Sequence, residues 1–131
     1  MRVDGVTRFA LAEGLRGGVA LGACVIALAV LGLSPSMSWV PEVLLLTLAA
    51  VVPVAAFALL GRRVARRTGR VLAGAIVGGI AGAISGGIGG VAYVVFGKSV
   101  LNIGVGVVSG AIGGAVIAGV AAVLSRRSES R

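Results

Sequence analysis

The chain has 131 residues, 58% of them hydrophobic and 12% charged, with a mean hydropathy of +1.13. So few polar groups cannot dissolve a domain of this size, and the composition is that of a membrane protein. A net charge of +8 would point a soluble chain towards nucleic acid, yet no aromatic interleaving, zinc-ligand spacing or recognition-helix pattern accompanies it; the basic residues flank apolar tracts instead, where anionic lipids are the expected partner and nucleic acid is not.

Residues 1–16 form an N-terminal segment carrying Arg2, Arg8 and Arg16. It can be continuous with the first helix. A helix beginning near Phe9 puts Glu13 and Arg16 three apart on one face, able to pair and to reach the headgroups. A carboxylate inside the membrane marks a functional site by default, but one turn of helix places Glu13 in the interface, and its role stays open at this point. The first uncharged tract, 17–33, could be mistaken for a secretory leader because Ala27-Leu28-Ala29 has the small-x-small form. That tripeptide is embedded in the apolar run and followed by Val-Leu-Gly-Leu, so the expectation is a retained span. Cys24 lies within it as the single cysteine, without a partner for an intrachain disulfide.

Residues 34–42 read as an extracytoplasmic loop, with Trp39 as an interfacial anchor. Pro41 and Glu42 suit the first turn of the next helix, the proline because its missing N–H would be free there and the glutamate because it faces the positive end of the dipole. The second span, 43–60, has no glycine; Pro53 near its middle predicts a kink over residues 49–53. Residues 61–70, GRRVARRTGR, form an Arg-rich cytoplasmic loop, in which Arg62, Arg66 and Arg70 stand four apart with Arg63 and Arg67 beside them. As a helical extension this segment would meet anionic lipid phosphate or a protein partner. The third span covers 71–96, a turn 97–100, the fourth span 101–124 and a basic tail 125–131.

Each tract is about the length needed to cross roughly 30 Å of hydrocarbon. Inside lipid the backbone must satisfy its own hydrogen bonds, and without alternating polarity a barrel is excluded. The fold class expected is therefore an all-α integral membrane protein with four transmembrane helices. Of the twelve basic residues, Lys98 alone falls on the side of the first loop and last turn, which predicts a multi-pass protein of the cell membrane with both termini cytoplasmic.

Fifteen of the 23 glycines lie in residues 71–124, and they are periodic. Gly74, Gly78, Gly82, Gly86 and Gly90 recur every four residues, matched in the fourth span by Gly106, Gly110, Gly114, Ala118 and Ala122. The connection of four residues forces an antiparallel hairpin; folding it about Lys98 sets Gly90 opposite Gly106, Gly82 opposite Gly114 and Gly74 opposite Ala122. Lipid supplies little hydrophobic drive between helices, so small residues that admit close backbone approach are what hold them together. Helices 3 and 4 should thus form a glycine zipper. A second small face, Gly79, Ala83 and Gly87, could receive Gly14, Gly18 and Gly22 of the first helix or a second copy.

The stretch AYVVFGKS ends like a phosphate-binding loop. Its residues before the Gly97-Lys98-Ser99 are the apolar end of a span, however, and no strand, glycine-rich turn or magnesium ligand accompanies them. Nucleotide is not expected to bind; Gly97 reads as a helix stop and Ser99 as a cap. The chain has no His, no paired carboxylates, no clustered metal ligands, and Ser85 and Ser109 have no base beside them. The expectation is no enzyme, no cofactor and no metal: a small membrane scaffold, accessory or assembly subunit, able to associate with itself or another membrane protein. The alternative is an oligomeric channel, a holin-like pore former or a small passive transporter, since backbone and small residues can line a pore without charge.

Overall fold

The computed structural model describes residues 3–33 and 41–129, and over these the chain is four helices: α1 (Val3–Leu33), α2 (Glu42–Thr68), α3 (Val71–Val95) and α4 (Leu101–Glu129). No strand occurs among the described residues. All four helices are long and apolar enough to cross a membrane. Trp39 and most of the first loop lie outside the described residues.

The helix ends follow local chemistry. Pro41, at φ −58°, precedes α2 and its carbonyl accepts from the Leu44 amide at 2.9 Å. Pro53 lies inside α2, which runs on unbroken to Thr68, so the helix continues eight residues past the uncharged tract and carries Arg62, Arg63, Arg66 and Arg67 with it. It stops where Gly69 takes φ +67°, a left-handed value that glycine adopts without a Cβ penalty, and the Gly69 amide closes onto the Ala65 carbonyl at 2.9 Å. Thr68 Oγ1 donates to the Val64 carbonyl at 2.8 Å and accepts from the Arg70 amide at 3.3 Å. Only Gly69 and Arg70 separate α2 from α3.

At the other end α3 terminates in a Schellman motif. The Lys98 amide donates to the Tyr93 carbonyl at 3.0 Å and the Gly97 amide to Val94 at 2.9 Å, with Gly97 at φ +80°. Ser99 then opens α4: its Oγ accepts from the Leu101 amide at 3.3 Å and its carbonyl from Asn102 Nδ2 at 2.9 Å.

Short connections make the helices antiparallel in succession. Gly17 of α1 meets Leu60 of α2, whereas Gly14 and Gly18 meet Ile80 and Ile84 of α3 in ascending order, so α1 and α3 run the same way. Around the bundle α1 packs on α2 and α3, α4 on α3 and α2, and α2 reaches α3 across the middle; among the described residues the α1 and α4 backbones do not approach each other closely. The interior is thin. One cluster joins Leu21, Phe57, Ala81 and Ala118, one residue from each helix; the other joins Val6, Ala10, Val64, Ala73 and Val77, with Phe9 and Leu60 against it. Leu21 and Phe57 are the largest of the buried side chains in these clusters. Big apolar side chains face outward around the perimeter instead, Leu59, Leu72, Ile112 and Leu124 among them.

The candidate functional site: a glycine-lined helix contact and a basic end

The tightest contact in the molecule is between α3 and α4. A Cβ added to Gly78, Gly82 or Gly86 would fall closer than 3.0 Å to the carbonyl of Gly114, Gly110 or Gly106 respectively, and the reverse additions on α4 meet the α3 carbonyls in the same way. Each glycine thus occupies space that only a hydrogen can share with the opposing backbone. Those carbonyl partners lie one turn away from the pairing obtained by folding about Lys98, while the neighbours through Cα follow that pairing: Gly110 against Gly86 and Gly114 against Gly82. Every small residue sits in the gap between two on the other helix, because interdigitated ridges pack closer than opposed ones. Gly90 closes against Asn102 and Ile103 at one end; Gly74 lies against Ala122 and the Gly61 carbonyl at the other. Ala118 and Ala122 are fully buried.

Gly61, grouped with the basic connector in the sequence, belongs to this contact. Its added Cβ would collide with the Ala118 backbone, so α2 approaches α4 as closely as the two hairpin helices approach each other. The signal was present: Gly61, Val64, Ala65 and Thr68 share one helical face through the arginines, and all four are buried or half-buried.

The small face of Gly79, Ala83 and Gly87 does not receive α1. Gly79 looks towards Ala111 and Ala115, and Gly87 towards Val107, all on α4. Gly14, Gly18 and Gly22 instead accommodate Ile80, Ile84 and Ile88: a ladder of gaps on α1 takes a ladder of branched side chains on α3. Complementary shape needs one small partner per contact, not two.

The polar groups in these helices satisfy themselves. Ser85 Oγ donates to the Gly82 carbonyl at 3.2 Å, Ser109 to Val105 at 2.6 Å and Ser125 to Ala122 at 2.9 Å. No buried side-chain nitrogen or oxygen lacks a partner among the described residues.

Because α1 and α3 begin where α2 and α4 end, Arg8, Arg62, Arg63, Arg66, Arg67, Arg70, Arg126 and Arg127 gather at one end of the bundle, all exposed. Arg67 and Arg126 also hold structure. The Arg67 guanidinium lies 5.8 Å from the centre of the Phe9 ring, a cation–π distance that ties α2 to α1, and Arg126 donates from Nη2 to the Gly69 carbonyl, tying α4 to the α2–α3 turn. Glu13 is half-buried on α1. Cys24 is exposed. Among the described residues no group of three His, Cys, Asp or Glu side chains comes together. The Gly97 and Lys98 amides point back at α3, in a turn between two helices.

These features define an all-helical protein with four helices long and apolar enough to span a membrane, held together chiefly at small residues. No protein-family model, curated protein or solved structure shows a significant match to the chain.

Proposed function

We propose that the chain is a small multi-pass scaffold, accessory or assembly subunit of the cell membrane, without catalytic activity, with both termini cytoplasmic and with α3 and α4 joined as a glycine zipper. One observation carries this: the α3–α4 contact places backbone against backbone over Gly78–Gly114, Gly82–Gly110 and Gly86–Gly106, so the sequence is specialised for helix association. Packing this close leaves no lumen along the hairpin and brings no titratable side chain to its middle. The arginine end supports the orientation, since basic residues concentrate on the cytoplasmic side and meet anionic headgroups there. The apolar window of α2 is the least buried of the four, and it is the surface left for lipid or for the helices of a partner.

Purification in mild detergent followed by mass determination of the intact particle, with solute flux measured in liposomes, tests the reading. A defined complex with another membrane protein together with impermeable liposomes is the expected result. Reproducible ion or solute flux that disappears in Gly82→Leu would contradict the scaffold and establish the pore-forming alternative.

A further inference from the structure

The polar boundary at the arginine end is not level around the bundle. Gly61, the residue of α2 just before its arginines, lies between the Ala118 backbone of α4 and Gly74 of α3, where an added Cβ would stand 2.8 Å from the Gly61 carbonyl. Arg62 and Arg63, both exposed, therefore begin beside Gly74. From there α3 continues uncharged to Arg70, about 6 Å further on, and α4 from Ala118 to Arg126, about 12 Å further on. Exposed Leu72, Val120, Val123 and Leu124 cover that stretch, so charge on α2 and apolar surface on its neighbours occupy the same level. On the other flank Gly17 packs on Leu60, which sets exposed Arg16 level with Gly61 across the α1–α2 seam. The lengths agree with this step. From Val43 to Gly61 α2 is uncharged for about 28 Å, close to the roughly 30 Å of a hydrocarbon core, whereas the uncharged α3 spans about 37 Å.

We infer that Arg62 and Arg63 hold headgroup phosphates of anionic phospholipids beside α2, deeper than the level at which α3 and α4 leave the hydrocarbon, so that the cytoplasmic leaflet is thinned on this side of the bundle. The inference rests on the membrane reading above. Two other accommodations are less favourable. Sliding the whole bundle towards the cytoplasm would clear the arginines, but it would set exposed Leu72, Val123 and Leu124 among headgroups. Snorkelling runs against the helix direction: Cα–Cβ bonds tilt towards a helix N-terminus, and that of α2 is at the far end, so its arginines start out aimed at the bilayer centre. A short span is met instead by local thinning, which brings phosphate to the guanidinium groups, whose fork engages two phosphate oxygens at once. Arg66 and Arg67 on the next turn add positive charge, which selects an anionic headgroup.

Nitroxide depth measurements in bilayers of equal phosphatidylglycerol and phosphatidylcholine test this. In a Cys24→Ser background, Leu59→Cys on α2 and Ile76→Cys on α3 carry the label at exposed positions, each two residues from the Gly61–Gly74 contact and so at one level of the bundle. Relative access of oxygen and of a nickel chelate should place the label at residue 59 about 6 Å nearer the surface than that at residue 76, the step from Gly74 to Arg70. Leu44→Cys and Val91→Cys, the corresponding exposed pair at the other end, should read equal depths. Arg62→Leu with Arg63→Leu should bring residues 59 and 76 to a common depth with helicity unchanged. Should that variant not fold, replacing phosphatidylglycerol by phosphatidylcholine around the unaltered arginines should shrink the offset. Equal depths at 59 and 76 at the outset, an offset that survives loss of the arginines or of the anionic lipid, or an opposite offset at 44 and 91, which is the mark of a tilted bundle, would each overturn the proposal. Failure of the membrane reading looks different: all four labels would be open to the nickel chelate, and the protein would leave membranes in an alkaline carbonate wash.

Discussion

The α3–α4 contact makes alanine substitution of glycine change sign with position. At Gly82 the added methyl falls inside 3.0 Å of the Gly110 carbonyl and carbon. Backbone cannot rotate aside as a side chain can, so the helices must part. A gap of about 0.5–1 Å already forfeits a quarter to a half of each dispersion contact across it, and overpacking of this kind costs about 1–3 kcal/mol. Alanine is the better helix former by about 1 kcal/mol; with an immovable obstacle the steric cost wins, leaving a net loss of about 1 kcal/mol. At Gly104 and Gly113 the same methyl meets nothing within 4 Å, and only the favourable term remains, about 0.5–1 kcal/mol of gain. Gly82→Ala and Gly113→Ala should therefore differ by about 2 kcal/mol, measured as the shift in a reversible unfolding equilibrium in mild detergent. Equal tolerance of both substitutions would refute the reasoning, because it would mean that the glycines reflect bulk composition and not contact.

Gly61→Ala should destabilise by an amount similar to Gly82→Ala and release α2 from α4, seen as faster proteolysis within α2; unchanged protection would contradict the close approach at Ala118. Gly18→Val, whose first added carbon would already lie 2.8 Å from Ile84 Cβ and 3.0 Å from the Ala81 carbonyl, should detach α1 while α3 and α4 remain paired, and Ile84→Gly in the same chain should restore part of the loss. A full loss that the second change leaves untouched would exclude knob-and-gap pairing. Gly69→Ala must hold φ near +67° and should cost about 1 kcal/mol, read from the same unfolding equilibrium.

Much of the fold was legible because its signals are periodic or cumulative. Four apolar tracts gave four helices, and the four-residue recurrence from Gly74 to Gly90 named the face of α3 that meets α4. Register was legible only to within a turn: each glycine sits between two opposing residues, a choice settled by interdigitation. The end of α2 was harder to read. Five arginines in ten residues suggested a connector, although Gly61, Val64 and Ala65 continue the buried face of the helix beneath the exposed charges. The seat of α1 stays open in the sequence between the small face of α3 and a position away from it, because a gap accepts a knob as readily as it accepts another gap: Gly14, Gly18 and Gly22 receive Ile80, Ile84 and Ile88.

The arrangement in the membrane is tested most directly by cysteine accessibility. In a Cys24→Ser background, Lys98→Cys and Arg70→Cys place single thiols at the two ends of α3, both at exposed positions. A membrane-impermeant maleimide applied to intact cells should label residue 98 and reach residue 70 only after permeabilisation. Labelling of residue 70 in intact cells with residue 98 protected would invert the proposed orientation, and labelling of both from one side would contradict a membrane-spanning α3.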